Sequence, residues 1–208
     1  MKVKWIDIGD VDIIIKEKTY EVTKLPITKV DSNSFLKERN EKEIEARILD
    51  VIEVEAPITE WLLIKRVINS FGVYKAGIHV RQKMFDILDG MDLKSTEEYD
   101  NKIYWKESMR PSRYKTFRVP GRSEESARDI TNIAVSELSN CVYQVLVEEG
   151  ELEYEELARI TALRLGYTRM GSNVRLGMKR AIEMAVERYP VNKKGNIYCA
   201  YNSGNMLK

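Results

Sequence analysis

The feature that most constrains this chain is that it repeats itself. Displacing the 208-residue sequence by 94 positions lays one half over the other without a gap. Leu63 falls on Leu157, Gly72 on Gly166, Gly77 on Gly171, Val80 on Val174, Arg81 on Arg175 and Met84 on Met178. The register survives to Ile103-Tyr104 on Ile197-Tyr198. Upstream, Ile44, Ile48, Val51 and Ile52 fall on Leu138, Val142, Val145 and Leu146. Self-similarity at a fixed displacement means one supersecondary unit used twice, so the two halves are expected to share an order of elements.

That order can be read from periodicity. Ile44, Ile48, Val51 and Ile52 are spaced i, i+4, i+7, i+8, which predicts one buried face of a helix. A second helix runs from about Thr59 to Phe71, its apolar positions Leu63, Val67 and Phe71 matched by Leu157, Thr161 and Leu165. Gly72 and Gly166 stop it, as a glycine after the last apolar turn commonly does. After a four-residue link, Gly77 or Gly171 opens a third helix with the stripe Val80, Met84, Ile87 or Val174, Met178, Ala181. A strand pair closes each copy, over 99–105 and 191–201, with Asn101 and Gly195 expected at the tips because both tolerate positive φ.

Three short helices and a hairpin follow the plan of a winged helix-turn-helix; a plain three-helix bundle would lack the hairpin. The expected fold is therefore mainly α with small β wings (α+β): tandem winged helix-turn-helix repeats behind an N-terminal β segment. The expected boundaries are 1–40 for that segment and its linker, 41–122 for repeat 1, 123–129 for a second linker and 130–208 for repeat 2. Within the first piece, Trp5 to Ile15 reads as a hairpin turning at Gly9-Asp10, Thr19 to Val22 as a strand, and Asp31 to Lys42 as a polar linker.

Composition removes several classes of function. Two separated cysteines, Cys141 and Cys199, cannot make a disulfide framework, and with one histidine they do not make a zinc site. The longest apolar run, Trp61 to Ile64, is far short of a membrane helix, and MKVKWIDIGD lacks the apolar stretch of a secretory signal. A cytoplasmic setting is expected. Phe71-Gly72 to Gly77 has the glycine spacing of a phosphate loop, but Ile78-His79 stands where Lys-Ser/Thr is required, so the glycines read as helix punctuation. Glu148, Glu149, Glu151, Glu153, Glu155 and Glu156 read as the acidic start of a helix rather than a metal cluster. No nucleophile–base arrangement stands out. The expectation is a non-enzymatic chain without catalytic residues, cofactor or metal.

Charge is more informative. The formal total is only +1, but it hides polarised segments. Residues 102–122 hold seven cations against Glu107 alone, interleaved with Tyr104, Trp105, Tyr114 and Phe117. Residues 159–208 hold ten cations against Glu183 and Glu187, and residues 41–60 hold seven acids against two cations. Clustered cations with aromatics suit a phosphate backbone. The candidate nucleic-acid contacts are Lys75 and Arg169 before the third helices; His79, Gln82 and Lys83 on the first of these helices; and Asn173, Lys179 and Arg180 on the second. Arg110, Arg113, Lys115 and Arg118 in the basic run, and Lys193 and Lys194 in the second wing, complete the set. Arg81 and Arg175 suit either phosphate or an ion pair to a neighbouring helix. The expected partner is duplex DNA with weak sequence preference. The competing reading is a protein-docking module, since winged helices also bind partners.

The motif Ala56-Pro57-Ile58, Leu63, Val67, Phe71-Gly72-Val73-x-Lys75-x-Gly77-x-x-Val80-Arg81 resembles the signature of domain of unknown function 3320. It is echoed by Leu165-Gly166-Tyr167-x-Arg169-x-Gly171-Ser172-x-Val174-Arg175. The resemblance covers about 44–201. It implies a place in bacterial superfamily I helicase-like proteins that also carry a nuclease domain similar to very-short-patch repair endonucleases, some linked to defence against foreign DNA. Helicase and nuclease domains of the same or a neighbouring chain are then further expected partners. The resemblance implies no catalytic residue within this chain.

Overall fold

The computed structural model describes residues 13–201; the hairpin expected from Trp5 to Ile15 falls largely outside them. In chain order the elements are β1 (Lys16–Thr19), α1 (Ser32–Phe35), α2 (Glu41–Glu55), β2 (Ile58–Thr59), α3 (Glu60–Ser70), α4 (Ile78–Gly90), β3 (Ser95–Glu98), β4 (Asn101–Tyr104) and β5 (Thr116–Val119). The second half continues with α5 (Val135–Glu149), β6 (Leu152–Glu153), α6 (Tyr154–Arg164), α7 (Ser172–Arg188), β7 (Val191–Lys194) and β8 (Ile197–Ala200). The fold is α+β. Among the described residues no helix is long and apolar enough to cross a membrane.

The halves share one topology. Each is helix, short strand, helix, helix, hairpin, with antiparallel sheets of order β2-β4-β3 and β6-β8-β7. The short strands β2 and β6 are too brief to leave a sequence signal. Their partners nevertheless keep the 94-residue displacement: Ile58 pairs with Tyr104, and Leu152 with Tyr198. Each half also has its own apolar cluster, around Ile44, Leu63, Val67 and Met84 in the first and Val142, Leu157, Leu165 and Met178 in the second.

The stop glycines behave as their spacing predicts. Gly72 has φ +76° and Gly166 φ +92°. The Gly72 N–H donates to Asn69 O at 2.9 Å and the Val73 N–H to Ile68 O at 3.1 Å; the second copy repeats this with Gly166 to Leu163 O at 3.0 Å and Tyr167 to Ala162 O at 2.9 Å. This doubled bond satisfies the orphan carbonyls at a helix end and needs a left-handed residue at the first position beyond the cap.

The ungapped register conceals one compensated difference. α7 has 17 residues where α4 has 13. The residues α4 does not use extend the first wing. Its anchoring pair Ile103-Tyr104 ends β4, whereas Ile197-Tyr198 begins β8. The first hairpin therefore reaches two residues per arm farther, and its turn is Tyr99-Asp100 rather than Asn101, which closes the turn opposite Glu98. Tyr99 takes the positive φ, +53°; in the second wing Gly195 does so, as expected, at +63°.

The segments expected to be linkers are largely exposed, and each is anchored by one or two buried residues. Asp31 caps α1, accepting from Ser34 N at 2.9 Å, and Phe35 is fully buried edge-on to Phe71 at 5.2 Å. β1 pairs in parallel with β5, Lys16 opposite Thr116 and Thr19 opposite Val119. The strand is therefore Lys16–Thr19 rather than Thr19 to Val22. Ile15 and Phe117 join the second module's core. Between 123 and 129, Ser126 and Arg128 are buried. Every residue of β1 is polar and exposed, so it carries no alternation to read.

Candidate nucleic-acid interface

The structure divides the fourteen candidate residues. Lys75, His79, Gln82, Arg110, Arg113, Arg169, Asn173, Lys179, Lys193 and Lys194 are exposed. Lys75 and Arg169 lie in the loops before α4 and α7. His79 and Gln82 lie on α4, Gln82 donating to Asp86 at 2.8 Å one turn on. Asn173 and Lys179 lie on α7, and Lys193 and Lys194 on β7.

Arg118 is not a surface contact. It is buried in the seam between modules, where its Nη2 lies 2.6 Å from Glu137 Oε2. It also donates to Glu55 O and Pro57 O, both at 2.7 Å. Its neighbours in sequence suggest a basic run, but β5 is covered on both faces: Phe117 enters the second module's core and the next side chain, Arg118, enters the seam on the opposite face. Arg128 joins it, 2.7 Å from Glu137 Oε1. Burial alone would raise the Glu137 carboxyl, but the two guanidinium charges and their hydrogen bonds overcome this and hold it at about 2.

Three further candidates are engaged within the chain. Lys83 pairs with Glu41 of α2. The Lys115 ammonium sits 4.0 Å over the Tyr189 ring, and burial with the Arg188 charge lowers its pKa. Arg180 Nη2 is 2.7 Å from Asp100 Oδ2. In the basic run, Lys102 and Lys106 also pair with Asp89 and Glu53, at 3.5 and 3.0 Å. Arg175 makes the inter-helix pair, 3.2 Å from Glu155 of α6; Arg81 is exposed and makes no ion pair among the described residues.

The two modules therefore present different surfaces. In the second, Arg169, Lys179 and Lys194 make no ion pair among the described residues and are spread over loop, third helix and wing. α7 carries no acid in its first turn, so its N-terminal N–H groups add positive potential there. A cleft between α6 and α7 is lined by Tyr154, Ala158, Met170, Leu176 and Lys179 together with the Glu155–Arg175 pair. In the first module the wing exposes Glu97 and Asp100 where the second has Lys193 and Lys194, while Glu98 is buried and accepts from Ser136 N at 3.0 Å. The inversion is written in the sequence at the residues just before each turn, Glu97-Glu98 against Lys193-Lys194, which the 94-residue displacement does not superpose. Around the start of α4, Tyr74 and Ile78 are 72% and 70% exposed.

The acidic run disperses: Glu148 pairs with Arg164 and Glu155 with Arg175. Among the described residues no three or more His, Cys, Asp or Glu side chains converge as a metal site.

Fold and surface together define a duplicated α+β chain whose halves carry unlike surface charge. Residues 33–82 match the model of a family described as Protein of unknown function (DUF3320), the family that the motif from Ala56 to Arg81 resembles. The match spans α1 to α3 and the first turns of α4 and stops before the first wing. No curated protein matches the chain.

Proposed function

We propose that the chain is a non-catalytic, tandem winged-helix DNA-binding module whose second copy makes most of the contact with the duplex backbone. The helix–strand–helix–helix–hairpin order with the third helix beside a hairpin supports the winged-helix reading. The observation that carries the function is the trio Arg169, Lys179 and Lys194. These cations stand exposed and without acidic partners among the described residues, on three elements of one module. Held on loop, third helix and wing, they can replace condensed counterions on successive phosphates, which gives affinity with little sequence information. Asn173 at the start of α7 can reach a base edge, while Leu176 on the same stripe limits such readout. The setting is cytoplasmic, which two free cysteines suit. The natural context is a helicase- and nuclease-type DNA-processing or defence assembly, as the family resemblance implies.

The test is fluorescence anisotropy of a labelled duplex during a salt titration. A log–log slope of about −3 to −5 is expected, at roughly −0.9 per neutralised phosphate. Absence of binding at low salt overturns the reading and favours docking. One observation favours a docking role for the first module in particular: Tyr74 and Ile78 form an exposed apolar pair at the start of α4, where the second module has Thr168 and Ser172.

A further inference from the structure

We propose that the long acidic wing of the first module is an autoinhibitory clasp on the second module's third helix, withholding Arg180 from phosphate. The inference rests on the DNA-binding reading and concerns how that surface is regulated.

Three independent features of the wing point the same way. The first is reach: the first hairpin extends two residues per arm beyond its counterpart, and this extension brings its turn onto α7. The second is contact. At the turn, Asp100 Oδ2 is 2.7 Å from Arg180 Nη2, the Tyr99 hydroxyl donates to Arg180 O at 3.3 Å, and the guanidinium lies 4.7 Å from the centre of the Tyr99 ring. A carboxylate and an aromatic face thus occupy the two ways a guanidinium binds nucleic acid, by charge-assisted hydrogen bond and by stacking. The third is backbone. Tyr99 holds φ +53° at the first turn position, where glycine is the unstrained choice. Its ring is therefore kept at the tip against the local preference of the chain.

The hairpin stays seated, because Glu98 is buried and accepts from Ser136 N at 3.0 Å, so what opens is the side-chain pair at its tip. The Asp100 side chain is 82% exposed while that of Arg180 is 24% exposed, so the pair is a rim contact, weak and screened by salt. Arg180 shares α7's outward stripe with Asn173 and Leu176 and is the last cation on it before Glu183 and Glu187. Released, it adds one phosphate contact beside Lys179; held, it leaves the second half of the helix neutral to acidic. A dense row of phosphates competes with one carboxylate for the same guanidinium.

The experiment compares wild type, Asp100→Asn, Tyr99→Gly, Glu97→Gln and the double variant Asp100→Asn with Arg180→Gln by anisotropy on a labelled duplex at several salt concentrations. Asp100→Asn and Tyr99→Gly should each bind about fivefold tighter at low salt, with a slope steeper by about 0.9. Glu97→Gln removes the same charge from the same wing and should leave the slope unchanged. The double variant should lose the gain, tying it to Arg180. Tyr99→Gly relieves the turn while removing the ring, so unchanged or raised thermal stability together with tighter binding separates a clasp from a merely structural contact. If wild type binds with a steep slope and neither Asp100→Asn nor Tyr99→Gly changes it, the clasp is overturned and the DNA-binding reading stands. If no protein of the set binds, both are overturned. Binding by the variants alone supports the clasp in its strongest form.

Discussion

Arg118 and Glu137 meet through two parallel hydrogen bonds in the seam between the modules, Nε to Oε1 at 3.0 Å and Nη2 to Oε2 at 2.6 Å. Arg128 adds a bond from its own Nη2 to Oε1 at 2.7 Å. The network continues into the first module through Glu55, whose carboxylate accepts from Arg66 Nε at 3.0 Å and Thr23 N at 3.0 Å and also from the Tyr20 hydroxyl. Burial, then the Glu55 charge, raises the Tyr20 phenol well above its ordinary value, so it stays a donor. One carboxylate thus fixes the first turn of α5 to the strand and linker that precede it, and the Arg118 guanidinium ties both to the end of α2.

Removing that carboxylate strands two buried guanidiniums. Glu137→Ala should lower the unfolding free energy by about 3–5 kcal/mol, the usual cost of leaving a buried charge uncompensated. Urea denaturation with a constant m-value checks this. A loss below about 1 kcal/mol would mean that water reaches the seam.

The same group sets an acid limit. Glu137 is held at about 2 against an ordinary value of 4.5. Its folded pKa is depressed, so its contribution is complete above about pH 4.5 and disappears as the pH falls towards 2. The contribution is about 3 kcal/mol at neutral pH by linkage. Stability measured between pH 6 and 2.5 should fall in that window, and Glu137→Gln should flatten the fall.

Binding should separate exposed from buried cations. Lys179→Gln and Lys194→Gln should each make the salt slope shallower by about 0.9 without changing the melting temperature. Arg118→Gln should do the reverse, destabilising the fold while sparing the slope. If Lys179→Gln and Lys194→Gln leave the slope unchanged, the contact moves to the exposed Arg110 and Arg113, which Arg110→Glu with Arg113→Glu would then abolish.

Gly177 sits inside α7 where Ile130 packs against the helix backbone. A Cβ there would lie 2.8 Å from Ile130 Cδ1 and Cγ1. Helix propensity alone favours Gly→Ala by about 1 kcal/mol. Overpacking against a buried side chain opposes it at about 1–3 kcal/mol. Gly177→Ala should therefore fail to stabilise, and a rise in melting temperature would show that Ile130 can move aside.

By itself the sequence determined the duplication, the apolar stripes of three helices per half and the glycine stops. Each of these depends on neighbours within one or two helical turns, and the 94-residue repeat shows every signal twice. It also located the exposed cations in the loops before the third helices and in the second wing, because local charge survives folding unless a partner arrives. Whether a partner arrives was decided only by the tertiary structure. Arg118, Lys83 and Arg180 read like Arg113, Lys179 and Lys194 along the chain, but their acids lie 19, 42 and 80 positions away. The anchors Phe35, Ser126 and Arg128 and the strand β1 were hidden for the same reason: single residues with no period around them are placed only when a distant ring, backbone or buried charge meets them.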